Sequence, residues 1–194
     1  MRKKLKRFKY MKKTLLFTIG LSLATLVFPQ QQLLLPPVKW YSFEDALTLN
    51  AQRAAYGLPT KKIFIDVYTD WCGFCKRMDA ITFSHPVIAD MLNRDWIPVK
   101  LNAERRDTIN INNQIFVNEH PGRGPHQLAI VLLKGEMGYP SIVLIDETGR
   151  PIQVLQGFKP PTQLEVLLSF FSTNAYRTTE WEEFQKTFRG IIRE

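Results

Sequence analysis

The chain has 194 residues, 45% of them apolar, which is enough for one globular domain with appendages and argues against a disordered chain. Its formal net charge of +8 is typical of nucleic-acid-binding proteins, but eight of the 26 Lys and Arg residues lie within the first thirteen positions. The other 18 basic residues are balanced by 18 acidic ones, so we expect a nearly neutral folded part that does not bind nucleic acid.

The N-terminal region has the pattern of an export signal. A basic start is followed by an uncharged apolar stretch at 14–28. We therefore predict a signal peptide or membrane anchor at 1–29, followed by a linker at 30–39. The domain is expected to be exported and periplasmic, either soluble after cleavage or tethered to the inner membrane.

The first half of the folded part predicts a βαβ unit. Ser42 and Asp45 form a capping box for a first helix that stops at Gly57. A buried strand follows at 61–69, a helix starts at Cys72 with a kink or restart at Pro86, and a second strand begins at Trp96. Strand, helix, strand over this length predicts two parallel strands.

The second half predicts a hairpin and two helices. Two strands are joined by a tight turn at 147–149, and an apolar-faced helix follows from Pro161. We assign 40–173 to the domain and 174–194 to a C-terminal amphipathic helix packed on it. That helix has a capping box of Thr179 with Glu182 and one apolar stripe, formed by Trp181, Phe184, Phe188 and Ile191.

An insertion at 103–125 interrupts this order of strands and helices. It contains a small hairpin predicted around Asn112 and Asn113, followed by a loop rich in Gly and Pro. Because it leaves the same sheet edge as the first strand, we expect it to border the active site and select substrates, although a plain surface loop is the alternative.

Cys72 and Cys75 are the only cysteines and stand two residues apart. A structural bridge closing so short a loop constrains the unfolded chain little. Zinc needs about four ligands, and the spacing of His120 and His126 from the cysteines is unlike that of a compact finger. A redox pair suits a cysteine that follows a buried strand and opens a helix, because the helix start stabilises a thiolate.

The same residues resemble the thioredoxin superfamily over about 61–171. The matching features are the Trp-Cys-Gly-Phe-Cys-Lys motif at 71–76, the strand acid Asp66, Lys100 in the second strand, Pro140 in a Gly-Tyr-Pro-Ser segment, and Gly157 after the last strand. The resemblance implies an α/β fold, with a central mixed sheet and helices on both faces. The insertion then lies between the second βαβ strand and the helix before a cis-proline, and the C-terminal helix is an addition.

The resemblance also implies roles for the four catalytic candidates. Cys72 is expected to be the exposed nucleophile and Cys75 the more buried resolving thiol. Asp66, buried beneath them with a raised pKa, would take the proton of Cys75, and Lys100 would moderate that shift.

The predicted substrate-binding residues surround this pair: Trp71, Gly73, Phe74, Tyr139 and Pro140. The resemblance implies a cis peptide bond before Pro140, which would present its backbone to a bound peptide. Phe74 replaces the proline of the family motif, which leaves the redox potential and the choice of partner open. We predict no metal and no cofactor other than a redox-active Cys72–Cys75 disulfide.

We therefore expect a thiol-disulfide oxidoreductase of the bacterial cell envelope that reduces protein or peptide disulfides. Such a role requires a membrane electron-donor protein as a second partner. Two alternatives stay open: a disulfide oxidase or isomerase, and a non-catalytic module that senses redox state or binds metal through the two cysteines.

Overall fold

A computed structural model describes residues 35–193. The predicted signal or anchor at 1–29 and the start of the linker lie outside these residues. The described elements, in chain order, are α1 Phe43–Ala55, β1 Lys62–Tyr68, α2 Gly73–Met78, a π-helical turn Asp79–Phe83, α3 Pro86–Asp95, β2 Trp96–Asn102, β3 Ile109–Ile111, β4 Gln114–Phe116, α4 Gln127–Leu132, β5 Ser141–Ile145, β6 Pro151–Gln156, α5 Pro161–Ser172, a 3-10 turn Ala175–Arg177 and α6 Trp181–Thr187.

The central sheet has four strands in the order β2-β1-β5-β6. β1 and β2 are parallel, as predicted for a βαβ unit, whereas β5 is antiparallel to both β1 and β6. The sheet is therefore mixed, and the predicted fold class is confirmed. β3 and β4 form a separate two-stranded hairpin between β2 and α4, at the predicted place of the insertion.

Side chains of β1 divide the core between the two faces of the sheet. Phe64 belongs to a cluster with side chains of α3 and α5, whereas Ile63 and Ile65 belong to a cluster with side chains of α1, α4 and the hairpin. Successive strand residues point to opposite faces, so Asp66 lies on the same face as Phe64. Helices thus cover both faces of the sheet.

Local sequence signals set most of the element boundaries. The Ser42 hydroxyl accepts a hydrogen bond from the Asp45 amide at 3.0 Å, and Gly57 follows α1 with φ +68°. α3 restarts at Pro86, as predicted. Asn112 and Asn113 both have positive φ, 50° and 65°, which is the backbone of the tight hairpin turn expected from this pair.

The insertion packs mainly against α1 and α4. Arg105 forms an ion pair with Glu44 of α1 at 3.1 Å, and Ile109 is buried in the core cluster on that face. His126, which was weighed above only as a zinc ligand, is buried and caps α4 by accepting the Leu128 amide. The hairpin is therefore attached to the α1 face of the sheet.

The prediction for the C-terminal helix is wrong in extent and in capping. α6 covers only Trp181–Thr187, and its N-cap is Glu180, without a side-chain hydrogen bond from Thr179. Trp181 and Phe184 pack against Phe170 of α5, with ring centroids 5.2 and 5.0 Å apart.

The prediction for the end of the apolar stripe is also wrong. Ile191 is 75% exposed, and Ile192 packs against the core instead. The physical reason lies in α5, where the buried Glu165 carboxylate accepts hydrogen bonds from the Ile191 and Ile192 amides at 2.6 and 3.1 Å. These two bonds hold the end of the chain out of helical geometry.

Within residues 35–193, no helix combines the length and the apolar character needed to cross a membrane.

Candidate active site

The end of β1 and the start of α2 position the cysteine pair. The Cys72 amide donates to the Thr69 carbonyl at 3.2 Å, and Cys72 is the N-cap residue of α2. Its sulfur accepts the Cys75 amide at 3.0 Å. The two sulfurs are bonded at 2.08 Å, with the Cα atoms 5.3 Å apart. The structure therefore shows the pair as a disulfide placed at a helix start.

The predicted difference in exposure between the two cysteines is not present in this disulfide form. Cys72 is 5% exposed and Cys75 is 3% exposed, so Cys72 is not the exposed residue that we expected. Trp71 and Phe74, which flank it in the sequence, are 66% and 61% exposed. Position in the helix, and not exposure, separates the two sulfurs: only Cys72 accepts an amide N–H through its sulfur.

The predicted substrate-binding residues lie around the disulfide. Gly73 is exposed at the first position of α2, next to Phe74. Trp71 contacts Tyr139 edge to face, with ring centroids 5.9 Å apart. Its indole N–H donates to a carboxylate oxygen of Glu104 at 3.0 Å. Glu104 belongs to no motif of the sequence, although it lies in the 103–125 insertion that was expected to border the active site.

The Tyr139-Pro140 peptide bond is cis, as the resemblance implied. Pro140 is buried, and its carbonyl accepts the Gly157 amide at 2.8 Å. This bond joins the segment before β5 to the turn after β6. These two segments are thus tied to each other.

Asp66 is 1% exposed on β1, directly opposite Lys100 on β2. One carboxylate oxygen, Oδ2, lies 2.8 Å from the Lys100 ammonium nitrogen. The other, Oδ1, is buried without a hydrogen-bond partner in the described part of the chain. Burial raises the pKa of Asp66 from 3.8 to about 6, against the lowering effect of Lys100. The carboxylate can therefore exchange a proton near neutral pH.

Lys100 also pairs with a second acid, which no motif of the sequence indicated. Its ammonium group also pairs with Asp79, at the start of the π-helical turn. The ammonium nitrogen lies 5.0 Å from the ring centroids of Trp40 and Tyr68 and 5.3 Å from that of Phe83. Although burial lowers the pKa of Lys100, the attraction of the two carboxylates raises it overall, so the residue stays charged.

The histidines considered as zinc ligands do not assemble a site with the cysteines. Across residues 35–193, no three His, Cys, Asp or Glu side chains are grouped as metal ligands. His126 already uses both ring nitrogens, Nδ1 for the Leu128 amide at 3.1 Å and Nε2 for the Asp107 carbonyl at 3.0 Å. Its position indicates a structural role in the fold of the insertion.

Comparison with known proteins gives one family and several distant relatives. The sequence model of the Thioredox_DsbH family, described as "Protein of unknown function, DUF255", matches residues 28–190. The chain is 25% identical over 126 residues to "Thiol:disulfide interchange protein DsbD" of Photorhabdus laumondii subsp. laumondii, covering 64% of this chain and 17% of that protein. With the protein of the same name from Pectobacterium atrosepticum it shares 24% over 134 residues, or 68% and 20% of the two chains. The chain thus spans about a fifth of the length of these curated relatives.

Solved structures share the fold. A "DsbH Oxidoreductase" superposes with a TM-score of 0.51 and 16% identity, covering 76% of this chain and 92% of its own. A thioredoxin from Thermus thermophilus gives a TM-score of 0.52 and 15% identity, covering 76% and 96%. At these identities the similarity is one of fold.

Proposed function

The chain belongs to the Thioredox_DsbH family and is a thioredoxin-like thiol-disulfide oxidoreductase, and from this premise we propose that it reduces protein disulfides in the bacterial cell envelope. The observation that carries the proposal is the disulfide at the start of α2 together with the buried, half-paired Asp66. A structural staple across two intervening residues has no need of a buried acid with a pKa near 6.

The proposed reaction starts from the dithiol form. The Cys72 thiolate attacks one sulfur of a substrate disulfide, forms a mixed disulfide and releases one substrate thiolate, which takes up a proton. Cys75 then attacks the Cys72 sulfur, and the second substrate thiolate leaves. Two electrons have passed to the substrate, and the Cys72–Cys75 disulfide is the oxidised product.

The neighbouring groups support both steps. The Cys75 amide donates to the Cys72 sulfur at 3.0 Å, a bond that favours negative charge on that sulfur. Asp66 is proposed to take the proton of Cys75 when this thiol attacks, because its ionised form has one oxygen free for that proton. Lys100 keeps Asp66 partly ionised near neutral pH by lowering the pKa that burial raises.

The direction of electron flow and the partners are part of the proposal. The Trp-Cys-Gly-Phe-Cys-Lys frame and the Asp66/Lys100 pair are the features that resemble the reducing branch of the superfamily. A reductase in an oxidising compartment needs a dithiol protein to recharge it, and we assign this role to a membrane electron donor. The name "thiol:disulfide interchange protein" of the distant relatives supports exchange with protein partners. The basic and apolar N-terminal sequence supports export, followed by cleavage or retention as a tether.

Trapping with a serine variant tests the proposal. Reduced Cys75→Ser protein should stay covalently attached to its substrates through Cys72, since nothing resolves the mixed disulfide. Cys72→Ser is the matched control and should trap nothing. Trapping by both variants alike, or by neither, would contradict the assigned order of attack.

Equilibration with glutathione tests the direction. A reductase should have a potential near the thioredoxin end of the known range, about −270 mV, whereas an oxidase or isomerase lies at about −180 mV or above. A value in the upper group would replace reduction by the oxidase or isomerase alternative. The result does not depend on knowing the physiological substrate.

A further inference from the structure

A basic cavity of about 430 Å³ lies at the end of the sheet opposite the disulfide. It is lined by the segment before α1, by α1 itself and by the first residues of β2. β1 begins beside it at Lys62 and ends at Tyr68, just before the cysteines. Six strand steps separate these ends by about 20 Å, so the cavity is distinct from the redox site.

Three cations line the basic cavity: Lys39, Arg53 and Lys61. Among residues 35–193 no Asp or Glu lines it, and none of the three cations takes part in an ion pair there. The nearest acid acting on Lys61 is Asp95, whose two oxygens are already bonded to Arg94 at 2.9 and 2.8 Å. The overall charge balance of the domain thus conceals a local excess of positive charge.

Hydrogen-bond donors of these cations remain available. Arg53 uses its Nε for the Pro59 carbonyl at 2.8 Å, which leaves both terminal nitrogens without a partner in the described chain. The Lys39 ammonium lies 5.1 Å from the Tyr41 ring centroid and makes no hydrogen bond within the same residues. Lys61 donates to the carbonyls of Asn93 at 3.4 Å and Arg94 at 2.6 Å, near the end of α3, which leaves one of its three N–H groups for a ligand. A planar guanidinium fork with two ammonium groups matches a phosphate.

The remaining surface indicates a ligand with an apolar part. Pro36, Tyr41 and Leu49 supply apolar walls to the cavity. Beside it, in the loop held by Arg53, Tyr56 is 82% exposed and Leu58 is 52% exposed. A tyrosine and a leucine next to unpaired cations are typical of a surface that touches the headgroup region of a bilayer.

The position of the cavity-lining segment in the sequence also favours a ligand at a membrane surface. Pro36 and Pro37 follow shortly after the predicted signal or anchor segment at 1–29. The six residues from 30 to 35 span at most about 22 Å, so a retained anchor would keep the segment before α1 near a membrane surface. A nucleic acid is a poorer match, since the cations converge on one concavity and do not form an extended stripe.

We propose that the basic cavity binds the phosphate of an anionic phospholipid headgroup, with Lys39, Arg53 and Lys61 as its ligands and the 56–58 loop against the bilayer. Bound in this way, the domain presents its disulfide about 20 Å from the lipid surface, toward soluble partners. This inference goes beyond the proposed function and does not depend on it.

The test measures binding of short-chain phosphatidylglycerol, below its micelle concentration, to the full chain by NMR titration and calorimetry. We expect phosphatidylglycerol to bind at least about tenfold more tightly than phosphatidylcholine of the same length or inorganic phosphate. A triple variant, Lys39→Gln with Arg53→Gln and Lys61→Gln, should weaken binding roughly 100-fold, since each cation near an anionic surface contributes about fivefold.

A matched control removes the same charge elsewhere through Arg123→Gln, Lys134→Gln and Lys186→Gln, all at exposed positions. The control should bind like the original chain, and the exposed single variant Lys39→Gln should lose about fivefold even if the triple variant fails to fold. Equal losses in cavity and control variants would overturn the site. Equally tight binding of inorganic phosphate, or tighter binding of a single-stranded oligonucleotide at the same residues, would overturn the lipid assignment.

Discussion

Two buried carboxylates of this protein differ in their hydrogen-bond partners. Asp66 lies at the redox end of the sheet, and Glu165 lies under the C-terminal segment. Asp66 is 1% exposed and Glu165 is 3% exposed. Both Glu165 oxygens accept backbone amides of the C-terminal segment, at 2.6 and 3.1 Å. Asp66 has one oxygen paired with Lys100 and one with no partner among residues 35–193.

The difference separates a structural acid from a functional one. A buried carboxylate whose oxygens are both bonded stabilises the contact that it makes, and Glu165 fixes the path of the last residues. One that is left half-bonded costs stability when ionised, and Asp66 carries that cost on the strand that leads to the cysteine pair. Three predictions test this contrast and a fourth tests the rim of the cysteine pair, taken from the largest expected effect to the smallest.

The first concerns the pH dependence of stability. The pKa of Asp66 is about 6 in the folded protein, against an ordinary value of 3.8. The folded state therefore holds the proton more tightly, so this contribution is complete below pH 3.8 and is lost as the pH rises through 6. Asp66→Asn should gain about 3 kcal/mol over the original protein between pH 4 and pH 8, measured by urea unfolding of the disulfide form. Asp70→Asn, at an exposed position, is the control. If the free energy of unfolding of all three proteins changed with pH in parallel, the pKa of Asp66 would not be raised in the folded state.

The second concerns the rate of the resolving step. Asp66→Asn should slow resolution of the mixed disulfide about 100-fold at pH 7, because Cys75 loses its proton acceptor. In the original protein this step should slow below about pH 6, as Asp66 becomes protonated, and the variant should lack that dependence. Stopped-flow reduction of a model disulfide measures both. An unchanged rate and an unchanged pH profile would remove Asp66 from the mechanism.

The third concerns the satisfied acid. Glu165→Gln should lower the free energy of unfolding by about 2 kcal/mol, since an amide cannot accept both backbone N–H groups. Hydrogen exchange at Ile191 and Ile192 should accelerate, while disulfide reduction stays unchanged. Gly190→Ala probes the same contact, because an added Cβ would lie 2.5 Å from a Glu165 oxygen, and we expect a loss of about 1 kcal/mol. If these variants changed the rate of disulfide reduction but not the free energy of unfolding, Glu165 would be a functional acid and not a structural one.

The fourth and smallest concerns the substrate rim. Glu104→Ala removes the acceptor of the Trp71 indole N–H, and we expect KM for a peptide disulfide to rise about threefold with kcat retained. Trp71→Phe keeps the ring and deletes the donor. The double variant should be no worse than Trp71→Phe alone, and additive losses would mean that the two residues act independently.

Short-range patterns of the sequence predicted the elements that carry the site. The apolar strand at 62–68, the paired Asn residues of the hairpin and the capping Ser42 all act within a few positions of the chain. The family resemblance added the cis bond before Pro140 and the pairing of Asp66 with Lys100.

The failures share a long-range cause. Helical spacing predicted that the C-terminal apolar stripe continues through Ile191. Glu165, 26 residues earlier, accepts the Ile191 amide instead, and the helix does not extend that far. The second partner of Lys100, Asp79, depends on a π-helical turn that no local pattern indicates. Each of these contacts is fixed by tertiary packing, which a local pattern does not contain.

The central claim, that Cys72 is an activated nucleophile, is tested most directly by the pH dependence of its alkylation. In Cys75→Ser protein, iodoacetamide reacts with Cys72 alone, and the rate follows the thiolate fraction. We predict a midpoint well below the pH of about 8.5 of an ordinary cysteine, because the helix start and the amide at position 75 favour the thiolate. A midpoint at 8.5 or above would contradict the account.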